Sequence, residues 1–420
     1  MEAATAKDSN ILVINAGSSS IKFAIYTVDL ALRLHGELDG IGTHPRLVAS
    51  DADGTSLVDR RPPTQDRNDV HNLLSQLMSW LEEHLGSEKL GAIGHRVAIG
   101  GLEHTGPVVV TPAILEKLRS FVPLAPLHQP RNLEPLEILK RLHPHLPQVA
   151  CFDTAFHRTM PRVAELYGLP RSLSEAGAHR YGFHGLSYEY ISGSLANFDR
   201  RAAEGRTVIA HLGSGASMCA VRGGRSIATT MGFSPLSGLV MGTRSGDLDP
   251  GLMIWLLRER GMTVEQVEQM LYRESGMKGV SGLSGDMRDL LSSKEPQARE
   301  AVDLFVYRVS SELGSLCAAL EGLDAVVFTA GIGEHAAEVR ELVCKRSGWL
   351  GIQVDDDANR KNASRISTVD SEVSVWVIPT NEELIVAKHT AGLVLSLSWQ
   401  GGDLEPAPGM IGRLLKHPRT

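Results

Sequence analysis

Two glycine- and serine-rich turns carry the most legible chemistry in this sequence. The stretch ILVINAGSSSIKFAIY (11–26) runs four apolar residues into Asn15, then Gly17, three serines and Lys22, before an alternating pattern resumes. Glycine lets backbone N–H groups turn inward on an anion and serine adds a short donor, so such a turn suits a phosphate. A plain hairpin turn is the commoner meaning of one such loop. Here Asn15, Lys22 and a second loop weigh against it. Setting Gly17 on Gly213 aligns the stretch with TVIAHLGSGASMCAV (207–221), with Ser18 on Ser214 and Ala24 on Ala220. Two similar loops predict a duplicated architecture gripping one polyanionic ligand. No Walker motif GxxxxGK[ST] is present, so ATP would be bound by another route.

Further candidates lie in loops beside glycine or proline, where sites concentrate. MGTRSGDLDPG (241–251) holds Arg244, Asp247 and Asp249; HRYGFHG supplies His184 and LAPLHQP supplies His128. Arg96, after GAIGH, could clamp a carboxylate with two N–H groups or merely face solvent. Asp153, closing the apolar run of PQVACFD, could be a base, a metal-organising acid or a helix N-cap. Glu382 and Glu383 open a helix, where they complement its dipole or hold Mg²⁺ through water. AVVFTAGIGEHAAEV has the form of a dinucleotide fingerprint, G-x-G-x-x-A after a strand with GIQVDDD about twenty residues on. An NAD-dependent dehydrogenase is therefore a rival reading. The fingerprint falls three-quarters along the chain, which leaves limited room for a dinucleotide domain. No HExxH or Cys/His cluster appears, which argues against zinc.

These residues need a scaffold. From His71 to Leu85 apolar side chains recur at helical spacing, and 301–322 reads as a long helix. GAIGHRV, PQVACF and DAVVF read as buried strands, and EVSVWVIPTNEELIVAKHTAGLVL as strand, turn and helix. Residues 51–69 form a polar surface connection with a hairpin edge; 1–9 and GGDLEPAPGM (401–410) read as tails. Strands alternating with helices predict an α/β fold, and 420 residues suggest two domains. A net charge of −7 gives no footprint for nucleic acid. No apolar run is long enough for a membrane span, and four scattered cysteines suggest reduced thiols in a cytoplasmic protein.

LVINAGSSSIK, AHLGSGASMCAVRGG, DTAFH, RYGFHG, GTRSGDLDP and IPTNEE together resemble the acetate kinase family, from about Asn10 to Leu395. The resemblance implies two ribonuclease-H-like domains, as in sugar kinases, heat-shock chaperones and actin, with the site in the cleft between them. Domain I would comprise 1–153 and 384–420, and domain II, with the dimer contact, 154–383. It implies reversible phosphoryl transfer between ATP and acetate, a homodimer, and Mg²⁺ (or Mn²⁺) organised by Asn15 and Glu382. Asp153, His184 and Arg244 would be catalytic, and Arg96, Ala98, His128, Phe183 and Pro235 would bind the acyl substrate. Lys22 would reach the phosphates. His211, Leu212, Gly213, Ser214 and Gly215, then Asp286, Met287 and Arg288, then Gly331, Ile332, Gly333, Glu334 and His335 would surround the nucleotide. Ser214 and His335 stand where the family has asparagine, Ala98 where it has valine, and Gln129 follows His128 in place of asparagine. A propionate kinase of the same family and a non-enzymatic nucleotide switch are the further alternatives.

Overall fold

The computed structural model describes residues 9–398 apart from 18, 64, 65, 67, 87 and 127, so Ser18 and the expected terminal tails, except Ser9, lie outside the described residues. The chain divides into two compact units: residues up to Ala155 with those from Glu382 onward, and Phe156–Asn381.

The first unit is built on an eight-stranded mixed sheet. Its strands are β1 (Ser9–Ala16), β2 (Ile21–Thr27), β3 (Leu32–Asp39), β4 (Arg46–Asp51), β5 (Ser56–Arg60), β6 (Lys89–Val97), β7 (Val108–Val109) and β8 (Gln148–Phe152), in the order β5-β4-β3-β2-β1-β6-β8-β7. β1, β2 and β3 form an antiparallel meander, and β6 and β8 run parallel to β1. Helices α1 (Val70–Leu85), α2 (Pro112–Arg119) and α3 (Gln129–Leu142) complete this part of the unit. α1 starts one residue before the expected span, with Asp69 capping the Asn72 amide. Its Leu73, Leu74, Leu77, Met78 and Leu81 pack with Leu12, Ile14, Phe23 and Ile25, each contributing ~1.5–3 kcal/mol of apolar burial. Ile11 through Ile14 are all buried, as a strand covered on both faces requires. The helix Glu382–Ser398 lies on this sheet too. A Cβ on Gly94 of β6 would stand 2.3 Å from Thr390 Oγ1 and 2.7 Å from Val386 Cγ1, so glycine is what lets that helix approach. The expected hairpin edge at 51–69 is β5, entered by a turn at Asp51.

The second unit has a five-stranded sheet of β9 (Arg206–Leu212), β10 (Ala216–Arg222), β11 (Arg225–Thr229), β12 (Ala325–Thr329) and β13 (Ser374–Val377), ordered β11-β10-β9-β12-β13. Again three antiparallel strands are followed by two parallel to the first. The order β3-β2-β1-β6-β8 is thus repeated, the duplicated ribonuclease-H-like α/β fold that the resemblance implies. The long helix expected at 301–322 spans Pro296–Leu320.

Two sequence readings change. Ala16 pairs with Ile21, whereas Leu212 pairs with Ala216, so the first turn is one residue longer (17–20 against 213–215). The ungapped match of Ala24 to Ala220 is therefore off by one: Ala24 stands where Cys219 does, and Lys22 where Ser217 does. A one-residue slip reverses the face of every side chain in a strand. The dinucleotide reading fails on topology. The glycines after β12 open the helix Ala330–His335, and the next parallel strand is β13, beyond the acidic run. Asp355 of that run caps the helix Asp356–Arg360.

Candidate functional site

In the first unit the ends of β1, β6 and β8 and the start of the helix Glu382–Ser398 bring five side chains together. Arg96, on β6, gives its Nε to Asp153 Oδ1 at 3.0 Å and its Nη2 to Oδ2 at 2.7 Å. Its Nη1 donates to Asn15 Oδ1 at 3.2 Å and lies 3.3 Å from Glu382 Oε2. Asn15 Nδ2 donates to Glu383 Oε1 at 3.5 Å. Lys22 is the cross-strand partner of Asn15, so the two share a face. Asp153 is therefore neither a helix cap nor a solvated base; its side chain is 4% exposed and both oxygens are taken. Arg96 thus clamps a carboxylate with two N–H groups, that of Asp153, instead of facing solvent.

Burial works against the Arg96 charge, but the fields of Asp153, Glu382 and Glu383 outweigh it and raise the guanidinium pKa above its ordinary range. Burial, reinforced by Asp153 and Glu383 and opposed by Arg96 and Lys22, pushes Glu382 up to about 7. Arg96 is thus shared among three carboxyl groups, with Lys22 acting on Glu382 as well. Among the described residues no group of three His, Cys, Asp or Glu side chains is arranged as a closed metal cage. The oxygens of Asn15 and Glu382 fit instead a hard cation that keeps most of its water.

Ala98 follows β6 and is buried. Its N–H donates to Asn132 Oδ1 at 2.9 Å, and Ile99 N–H to Gln129 Oε1 at 3.2 Å. Gln129 Nε2 returns to the carbonyls of Ile99 and Leu118, and Asn132 Nδ2 to that of Ala16. Two amides in the first turn of α3 therefore brace both the Ala98 segment and the end of β1. The sequence carried a signal for them: both fall on the apolar stripe of Leu133 and Leu136. His128 immediately precedes α3.

In the second unit, His184 adopts a left-handed conformation (φ +58°) just before the helix Gly185–Ser194. The backbone leading to it is fixed by buried His157, whose Nε2 meets the Phe183 carbonyl at 2.9 Å and whose Nδ1 meets Ser226 Oγ at 2.9 Å. Burial, opposed by the Phe183 carbonyl, pushes His157 down to about 4, so it is neutral. A Cβ at Gly182 (φ +74°) would lie 2.4 Å from that ring. His184 stacks on His211 with centroids 4.2 Å apart. Its Nδ1 is 2.8 Å from Ser217 Oγ, and His211 Nδ1 is 2.8 Å from Ser187 Oγ.

The Gly213–Gly215 turn closes beside Arg244. A Cβ at Gly215 would meet Arg244 Nη2 at 2.6 Å and His184 Nε2 at 3.6 Å, so both groups converge on the turn. Arg244 Nη1 donates to the Pro235 carbonyl at 2.6 Å, the role the structure shows for Pro235. Among the described residues no carboxylate lies within ion-pair distance of Arg244, and burial, opposed by Tyr272, lowers its pKa below the ordinary range. Ser214 packs its Oγ towards Gly242, and its carbonyl accepts the Gly242 N–H at 3.0 Å. Leu212 is fully buried, so only its backbone can face a ligand.

The two outer segments are held separately. Asp286 caps the helix Met287–Ser292 and pairs with the exposed Arg288 at 2.6 Å, while Met287 is buried beneath. In the helix containing Gly331, Ile332, Gly333, Glu334 and His335, Glu334 Oε1 accepts the N–H of Ala330 (φ +64°) at 2.8 Å and of Thr380 at 3.3 Å. Arg340, fully buried, donates to the carbonyls of Gly333 and Glu334, both at 2.9 Å, and to Asn359 and Asn362. Burial, slightly opposed by Cys344, pulls it down to about 10. Sequence reasoning missed this brace, though an arginine in line with Val343 and Cys344 was its signal.

The model of the acetokinase family matches residues 10–388. An acetate kinase of Rhodopseudomonas palustris is 53% identical over 387 residues, covering 90% of this chain and 97% of that protein. Among solved structures, a propionate kinase from Francisella tularensis is similar at a TM-score of 0.86 and 35% identity, covering 91% of this chain and 99% of that one. Porphyromonas gingivalis acetate kinase follows at a TM-score of 0.82 and 33% identity, covering 92% and 100%.

Proposed function

The chain belongs to the acetokinase family, and from that premise we propose that it transfers the γ-phosphoryl group of ATP reversibly to acetate, giving acetyl phosphate and ADP. The observation that carries this reading is Arg244: a largely buried cation with no carboxylate partner among the described residues, aimed with His184 at a glycine turn. Phosphoryl transfer needs in-line positioning and positive charge around the equatorial oxygens more than covalent help. Arg244 and His184 supply it, and the Gly213–Gly215 turn admits the phosphate backbone-first. The segments at 286–288 and 331–335 are assigned to the nucleotide.

The first unit is assigned to the acceptor. Acetate is already ionised at neutral pH, so no base is needed to activate it. Asp153 accordingly fixes Arg96, which attracts the acetate carboxylate by its charge and its remaining Nη2 N–H. Asn15 and Glu382 would hold Mg²⁺, which when bound neutralises phosphate charge. Lys22, which shares that face with Asn15, is assigned to the phosphates.

Ala98 supports propionate as a second acceptor, because a side chain smaller than valine removes part of the wall at ~0.8 kcal/mol per buried CH₂. The apolar face of the helix Pro250–Arg258, with Ile254 52% and Trp255 46% exposed, supports a homodimer. None of the four cysteines forms a disulfide, which accords with a reducing cytoplasm. Among the described residues no helix is long and apolar enough to cross a membrane. The deciding experiment is a hydroxamate assay for acyl phosphate with acetate, propionate and butyrate, each with ATP and GTP. Product with acetate and ATP is expected; no product with any pair overturns the reading.

A further inference from the structure

We propose that Ser217 is a positioning residue that sets the His184 tautomer, holding the imidazole proton on Nε2; the proposal rests on the phosphoryl-transfer reading above. Ser217 is wholly buried on β10, where an alanine would serve packing equally well. Its hydroxyl nonetheless lies between two polar groups, His184 Nδ1 at 2.8 Å and the buried Tyr188 hydroxyl at 2.5 Å. A serine hydroxyl has one proton to give. Given to Nδ1, it makes that nitrogen an acceptor, puts the ring proton on Nε2 and leaves Ser217 Oγ to accept from Tyr188.

The opposite direction has Nδ1–H donating to Ser217 and Ser217 donating to Tyr188. It would turn an unprotonated Nε2 towards the Gly215 turn. Such a ring repels a phosphoryl oxygen. Full protonation of His184 would add a cation stacked 4.2 Å from His211 and converging with Arg244 on one turn. The chain from Tyr188 through Ser217 yields a neutral ring that still donates. His211 repeats the device, with its Nδ1 against the buried hydroxyl of Ser187. Both members of the stack therefore have the same nitrogen committed to a serine.

Long-range ¹H–¹⁵N spectra of the full chain with ¹⁵N-labelled histidine, assigned through a His184→Gln variant, read the tautomer directly. The Nε2–H form is expected for His184, and its population should fall in Ser217→Ala. In kinetics, Ser217→Ala should lose about 10- to 100-fold in kcat with KM for ATP and acetate changed less than about threefold. Ser217→Thr, which restores the hydroxyl, should recover most of the loss. In a His184→Ala background, Ser217→Ala should cost nothing further. An Nδ1–H or doubly protonated ring at neutral pH, or an undiminished cost in that background, overturns the proposal. If Ser217→Ala does not fold, Tyr188→Phe serves in its place: the Ser217 hydroxyl then has Nδ1 as its acceptor, so the Nε2–H form should persist, and its loss counts against the proposal. Absence of acyl-phosphate formation by the unaltered protein would sink the phosphoryl-transfer reading alone, because the spectrum decides the tautomer without activity.

Discussion

The two hairpins share a backbone plan and carry opposite electrostatics. In the first, Asn15 and Lys22 face each other across β1 and β2, and the surrounding groups are Arg96, Asp153, Glu382 and Glu383, with more carboxyl groups than cations. In the second, the equivalent positions are His211 and Ser217, and the surrounding groups are His184 and Arg244, with no carboxylate paired to the arginine among the described residues. The duplicated fold thus carries a carboxyl-rich cluster at one set of strand ends and, at the other, an arginine with no carboxylate partner among the described residues. The strand order stays the same.

The sharpest test is to remove the cation that has no carboxylate partner among the described residues. Arg244→Ala should lower kcat about 10³-fold or more, the scale of an arginine that meets transition-state charge. It should leave thermal stability unchanged or raised, because a buried charge without a carboxylate is itself costly. A steep fall in melting temperature would show instead that Arg244 holds the fold. The matching change in the first unit is Asp153→Asn. It breaks the two-pronged pair and leaves Arg96 less compensated, at ~3 kcal/mol of stability, and should lower kcat about 100-fold. We expect the apparent Mg²⁺ requirement to rise with it, since Arg96 would turn more fully to Glu382. Normal Mg²⁺ dependence with collapsed turnover would remove that account of Asp153.

A smaller effect is expected behind the second hairpin. Arg340→Met leaves the Gly333 and Glu334 carbonyls without their donor, so the nucleotide KM should rise about tenfold while kcat with acetate changes little. Calorimetric titration with ADP separates this from a general loss of fold. The smallest effect belongs to Ala98→Val. The propionate-to-acetate ratio of kcat/KM should fall about three- to tenfold, the range of one or two methyl groups in a pocket. An equal ratio in both proteins would detach Ala98 from acyl selectivity.

The strongest sequence signals were local and periodic. The apolar spacing that defines α1 and the long helix Pro296–Leu320 survived because packing and propensity agree there. Gly/Ser turns between strands were legible for the same reason, since they join β1 to β2 and β9 to β10 where few residue types close a short turn. The dinucleotide fingerprint was equally local and misled, because G-x-G-x-x-A says nothing about where the acidic run stands: it caps a helix instead of ending the next parallel strand. The register of the repeat also escaped, as a turn longer by one residue leaves no mark in an ungapped match.

What the sequence by itself determined was the kind of group available: a carboxylate at 153, arginines at 96 and 244, histidines at 184 and 211, at the ends of apolar runs or in loops beside glycine. Only the tertiary structure decided which of them neutralise each other. Arg96 and Asp153 are 57 positions apart and meet because β6 and β8 are parallel neighbours. Glu382 joins them from the far end of the chain because its helix lies on the same sheet. Charge compensation depends on distances of a few ångströms between segments remote in sequence, and the folded sheet sets those distances.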